Sequence, residues 1–194
     1  MPLRRRRPEV PPRRPRYVVD LQITDGSELV GCLRQQGLAP DEIVFKYLWP
    51  RYAPPPGSGI RALYKTESLS AQFERIVAMH RIVPSGIPLP VGIVRNPDGE
   101  LVGYVIEYVE GETLLTLIER RSFDEAARQL AVVERTVAKL HAKQIAHGDL
   151  TAANVIAADD GRTVLIDPVA NASPGTLLQD SLSLDELRAL VEPD

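Results

Sequence analysis

The sequence predicts an α+β chain: an N-terminal half built on a five-stranded antiparallel sheet with one inserted helix, and a shorter, mainly helical C-terminal half. Three observations predict it. Short apolar runs punctuated by Gly, Pro, Asn and Asp fill residues 17–110. Apolar residues recur at helical spacing after Gly111. The length of 194 residues, 44% of them hydrophobic, suffices for one full core or for two small lobes that share one.

Residues 1–16 stand apart. They hold seven arginines against Glu9 alone, five prolines and no apolar periodicity. Ordering them would return too little buried surface to offset the lost entropy, so a disordered Arg/Pro-rich tail is expected. Its charge of +6 leaves −9 on residues 17–194, within a total of −3. That balance disfavours nucleic-acid binding by the folded part and confines any polyanion contact, a weak one, to the tail. No apolar segment of signal-peptide length follows the arginines. The longest uncharged stretch, 82–94, has 13 residues and three prolines, short of the about 18 that span a membrane. Cys32 is alone, and His80, His141 and His147 are too scattered for a zinc-type cluster. A cytoplasmic protein without a membrane segment is expected.

Taken in order, Val19, Leu21 and Ile23 alternate with Asp20, Gln22 and Thr24, the period of a strand with one buried face. Asp25-Gly26-Ser27 is turn chemistry and predicts a hairpin, with Leu29 to Leu33 returning as the second strand. Residues 43–48, apolar around Lys46, give a third strand ended by Trp49-Pro50, and the Pro/Gly/Ser run 54–59 reads as a loop. Leu69, Phe73, Ile76, Val77 and Met79 then recur as on a helix that stops before Pro84. Residues 91–94 and 101–108 are the remaining strands, joined by Asn96-Pro97-Asp98-Gly99, where Pro presets φ and Asn, Asp and Gly tolerate positive φ.

After Gly111 a helix is expected over 113–119, then a longer one opened by Ser122 and Glu125 at capping-box spacing. Its buried stripe is Phe123, Ala127, Leu130, Val133, Val137 and Leu140. Short β segments at 155–156 and 164–166 flank the turn Asp159-Asp160-Gly161. A last helix is expected to start near Ser183, with Glu186 completing a second capping box.

The chemistry concentrates in His147-Gly148-Asp149-Leu150-Thr151-Ala152-Ala153-Asn154, which sets a carboxylate and a carboxamide five residues apart after a long helix. A second carboxylate, Asp167, ends an apolar strand 13 residues beyond Asn154. Phosphoryl transfer needs such a set: a carboxylate to take the acceptor's hydroxyl proton, and oxygen ligands to hold Mg²⁺ against phosphates. Taken singly, each residue has a plainer reading, as a turn, a cap or a solvated face. Together, in this order, they point to a kinase-type site.

On these motifs the chain resembles the protein kinase-like superfamily, and the His-Gly-Asp-Leu-Thr-x-x-Asn form resembles the small atypical kinases of the Bud32/RIO type. The resemblance runs over about 17–191 and implies a two-lobe fold with the N-lobe and hinge in 17–110 and a truncated, minimal C-lobe in 111–194. It implies Asp149 as catalytic base, Lys46 as the phosphate-binding lysine with Glu74 as its helix partner, and Asn154 and Asp167 as Mg²⁺ ligands. Glu67 is the alternative acid for Lys46. Residues 105–111 resemble the hinge, where main-chain groups of Glu107 and Val109 would bond adenine beside Ile106 as gatekeeper, with Val44 also lining the nucleotide site. Asp180 resembles the aspartate that supports the catalytic loop.

Several departures qualify that family pattern. The Gly-rich phosphate loop is reduced to Asp25-Gly26-Ser27, Gly148 stands where an arginine precedes the catalytic aspartate, and Pro168 replaces phenylalanine. Asp180 follows Asp167 by only 13 positions, and 14 residues follow it, so the helices of a peptide-docking platform are missing. The implied function is an ATP- and Mg²⁺-dependent phosphotransferase of the serine/threonine protein kinase kind, its acceptor a protein or a small molecule. Ile166-Asp167-Pro168 resembles the aminoglycoside and fructosamine kinases, which keeps a small-molecule kinase open. A nucleotide-binding regulatory pseudokinase or partner-dependent ATPase is the third reading.

Overall fold

A computed structural model describes residues 19–48, 50–64, 68–173 and 175–192. The Arg-rich tail and Glu67 lie outside the described residues. The first half forms a five-stranded sheet of β1 (Val19–Gln22), β2 (Ile43–Tyr47), β3 (Arg61–Tyr64), β4 (Pro90–Arg95) and β5 (Leu101–Glu107), in the order β1-β4-β5-β2-β3. Helices α1 (Gly26–Gln35) and α2 (Leu69–Ile82) belong to the same half. The second half adds a small antiparallel sheet of β6 (Gly111–Thr113), β7 (Val155–Ala158) and β8 (Thr163–Leu165) to helices α3 (Leu114–Glu119), α4 (Phe123–His141) and α5 (Thr176–Val191).

The two-lobe α+β layout is as expected, and three features of it differ. Residues 26–35 are a helix, α1, where a return strand was expected. Asp25 accepts from the Ser27 N–H at 2.7 Å and so caps α1; Asp-Gly-Ser serves an N-cap as readily as a turn. Leu29 and Leu33, four apart, are then fully buried on one helical face. The sheet still has five strands because residues 61–64 supply β3, but it is mixed rather than antiparallel, since β1 pairs with β4 and β2 with β3 in parallel. A parallel neighbour demands a crossover. Residues 48–60 make one, and Tyr52 within it is buried in the same cluster as Leu29 and Leu33.

The helix boundaries of the second half also shift. Ser122 makes no side-chain cap bond to α4, so the expected capping box does not form. Ser183 is a buried residue inside α5, which begins seven residues earlier, at Thr176. Gly111–Thr113 pairs with β7 before the helix at Leu114 begins. The stripe of α4 is buried at Ala126, Leu130, Val133, Thr136, Val137 and Leu140. Each such Leu or Val contributes on the order of 1.5–3 kcal/mol.

Alternation along β2 decides what each face of the large sheet touches. Ile43 and Phe45 face the cluster under α1. Val44 and Lys46 point the other way, opposite Ile106 and Tyr104 on β5. That second face meets α2 and a core shared with Leu130, Leu150, Leu165 and Leu184 of the other half. No helix among the described residues is long and apolar enough to cross a membrane.

Two glycines of α1 separate helix from hairpin. A Cβ on Gly26 would run into the backbone of Tyr52 and Ala53, whereas one on Gly31 meets nothing within 4 Å. Gly26→Ala is expected to destabilise by about 1–3 kcal/mol and Gly31→Ala to stabilise by about 0.5–1 kcal/mol, both read from urea unfolding midpoints. Equal effects at the two sites would contradict α1.

Candidate active site

Lys46 is the pivot of the site. Its side chain is 1% exposed, and its ammonium donates directly to the carboxylate of Asp167, which is 23% exposed. The two help to line a cavity of about 340 Å³ between the large sheet and the β7–β8 hairpin. Val44 and Ile106 form one wall and Ile156 and Ile166 the other, with Glu107, Tyr108 and Val109 at the connection between halves. Six of the sequence-derived residues, Val44, Lys46, Ile106, Glu107, Val109 and Asp167, thus line one cleft. Arg61, Ala62 and Leu63 of β3 also line it, a contribution the sequence reading missed because it took no strand there.

The connection offers specific main-chain groups. The Glu107 N–H is engaged by the Leu89 carbonyl at 2.9 Å and the Tyr108 N–H by that of Glu42 at 2.7 Å. The Val109 N–H has no backbone acceptor among the described residues. The Glu107 side chain accepts from the Leu89 N–H and from the fork of Arg162, at 2.8 and 3.4 Å. Arg162 follows the Asp159-Asp160-Gly161 turn, so this pair ties the β7–β8 hairpin to the end of β5. Nothing in the local sequence signals a pairing across 55 residues.

Glu74, expected as the partner of Lys46, is exposed, accepts from the Ser70 hydroxyl at 3.3 Å and does not line the cleft. The reason is the rotation of α2. With Leu69, Phe73, Ile76 and Met79 buried, position 74 turns outward and position 72 turns in. Gln72 is 1% exposed; its Oε1 accepts from the Tyr104 hydroxyl at 2.8 Å and its Nε2 donates to the Pro168 carbonyl at 2.9 Å. Arg75, also on α2, donates to the Ala146 carbonyl through Nε at 3.0 Å. The sequence did carry one signal for Gln72, a polar residue three positions along the apolar stripe from Leu69.

The loop after α4 is built around Asp180. This fully buried carboxylate accepts from the N–H groups of His147 at 2.7 Å and Gly148 at 2.6 Å, and lies 3.0 Å from His141 Nε2. Gly148 has φ +85°, and a Cβ there would meet the side chain of Val169. A larger residue at this position is therefore excluded by space as well as by backbone. Asp149 is exposed, and Asn154 Nδ2 donates to both its carbonyl and its Oδ2 at 2.9 Å. That orientation leaves Asn154 Oδ1 for a cation. The Ile166 N–H donates to the Asn154 carbonyl at 2.9 Å, which sets Asp167 beside the loop. Asp167 itself has φ +58°, a left-handed conformation costing about 1–3 kcal/mol and found where a site demands it.

The donor set fits Mg²⁺. Among the described residues no three His, Cys, Asp or Glu side chains gather as a metal centre. One carboxylate and one amide oxygen are what a hard cation shared with phosphate oxygens requires.

A scan against protein-family models returned no match. The KEOPS complex subunit Bud32 of Pyrococcus abyssi (strain GE5 / Orsay) is 41% identical over 101 residues, 51% of this chain. The chain spans about half the length of that relative, 46%.

His147 supplies a pH test of this architecture. Its ring is fully buried, and burial lowers its pKa from 6.5 to about 4 against the opposing pull of Asp180, Asp149 and Asp167. Between those values the unfolded chain binds a proton that the folded chain does not, so stability falls as pH drops from 6.5 to 4. The loss expected from this one group is about 3 kcal/mol. Urea unfolding across that range is expected to show this slope, and His147→Phe to flatten it. An unchanged slope in the variant would contradict the buried neutral imidazole.

Proposed function

We propose that this protein kinase-like chain of the Bud32/RIO type transfers the γ-phosphoryl group of ATP to a hydroxyl, most specifically that of a serine or threonine. The observation that carries the reading is the apolar cleft lined also by the Lys46–Asp167 pair, beside a loop presenting Asp149 and Asn154. The cleft walls suit a flat heterocyclic base, with the Val109 N–H as donor to its ring. Lys46, freed from Asp167 by the incoming charge, would bind phosphate oxygens. Asp149, oriented by Asn154, would take the acceptor's proton as the acceptor oxygen bonds to phosphorus and ADP leaves. Mg²⁺ held by Asn154 and Asp167 would neutralise the phosphate charge.

One finding favours a second reading. The relative is by name a subunit of a complex, which supports a protein partner for this chain; a partner-dependent ATPase is the activity that this second reading carries. Incubation of the full chain with γ-labelled ATP and Mg²⁺, alone and with cell extract, separates the readings. Label on protein supports the kinase, label in a metabolite indicates a small-molecule kinase, and free phosphate alone indicates the ATPase.

Asp167→Asn is expected to abolish Mg²⁺-dependent turnover through loss of a ligand charge. Asp149→Asn is expected to lower transfer by about 100-fold or more while MgATP binding, measured by calorimetry, stays within about twofold. Near-normal transfer by folded Asp149→Asn protein would contradict its role as base.

A further inference from the structure

Four consecutive residues, Ile166 to Val169, are each held by a different element. The Ile166 N–H is held by Asn154, the Asp167 carboxylate by Lys46, the Pro168 carbonyl by Gln72, and the Val169 N–H by the His147 carbonyl at 3.0 Å. Proline has no N–H, so its carbonyl is the one backbone group by which this position can be fixed. Gln72 reaches it from α2, buried, and is itself held by the Tyr104 hydroxyl. Tyr104 lies directly across the β5–β2 ladder from Lys46. The result is a closed ring: Lys46 grips Asp167 from one side, and Tyr104 and Gln72 grip the next residue from the other.

This ring resists a specific strain. Asp167 sits at φ +58°, a sparsely populated left-handed conformation that persists where the surrounding structure holds it. When Lys46 turns to phosphate, the grip on the carboxylate is released, and the hold on Pro168 remains. We propose that Gln72 is a positioning residue for Asp167: through the Pro168 carbonyl, and braced by Tyr104, it keeps the carboxylate in its metal-binding orientation once Lys46 has exchanged Asp167 for the nucleotide. This assigns to a neutral amide on α2 a role in metal affinity, on the helix from which Glu74, expected as the partner of Lys46, turns outward. The inference rests on the reading of Asp167 as a Mg²⁺ ligand.

The test compares ATP affinity with Mg²⁺ and with EDTA, by calorimetry on the full chain, and takes the ratio of the two Kd values as readout. Gln72→Met keeps the volume and removes both hydrogen bonds; it is expected to reduce the Mg²⁺-dependent gain by about tenfold while Kd for metal-free ATP stays within about twofold. Tyr104→Phe removes a single oxygen, and a loss of about threefold is expected. A role in stability alone would lower the unfolding midpoint and leave the ratio untouched. Folded Gln72→Met protein with the wild-type ratio would overturn the inference and leave the proposed function standing. If Gln72→Met does not fold, Tyr104→Phe decides, an unchanged ratio overturning the inference. A wild-type chain whose ATP affinity ignores Mg²⁺ would remove the metal site, and the inference with it.

Discussion

A lysine ammonium buried to 1% exposure cannot be left without a counter-charge. Lys46 is carried by an interior strand of the large sheet and Asp167 by the end of a hairpin in the other half, so their contact, with the shared apolar core, joins those halves. The apolar walls of the cleft follow from the same alternation, because the residue two before Lys46 on β2 and its cross-strand partner Ile106 face the same way. In low-dielectric surroundings the desolvation of such a pair cancels much of its attraction. Its value is therefore more in specificity than in net stability. The charges that it neutralises are the charges that a metal-bound polyphosphate would claim.

Around that pair the segments of the site are held mostly through backbone. Asp180 collects the N–H groups of His147 and Gly148, Arg75 takes the Ala146 carbonyl, and Asn154 supplies a carbonyl to Ile166. Asp149 is left exposed and Asp167 partly exposed, while Lys46, Gln72 and Asp180, which hold the segments around them, are buried. Charge-assisted hydrogen bonds to a buried carboxylate are worth more than neutral ones, which suits Asp180 to holding a loop with no regular structure of its own.

The sequence made the second half of the site legible because its residues lie close together along the chain. His147 to Asn154 and Asp167 sit at fixed spacing between apolar runs, and the structure brings them to one place. The strand Ile43–Tyr47 was legible from its apolar run, and Lys46 from being the one charge within it. What failed were features decided at a distance. Asp25-Gly26-Ser27 suits a turn and an N-cap alike, and only the packing of Leu29 and Leu33 under the sheet chooses the helix. Strand direction depends on where residues 48–60 cross, and the outward turn of Glu74 on the phase of α2 set by Leu69, Phe73 and Ile76. Ser183 and Glu186 match a capping box yet lie inside α5, because hydrogen-bond geometry rather than residue type defines a cap.

The claim on which the rest depends is that Lys46 and Asp167 are energetically one unit, and a double-mutant cycle measures it directly. Urea unfolding of wild type, Lys46→Met, Asp167→Asn and the double variant, without nucleotide, gives the coupling. We expect the double variant to lose little more than the worse single one, a coupling of about 2 kcal/mol. Losses that simply add would show that the two charges do not depend on each other, and would contradict this account of the cleft.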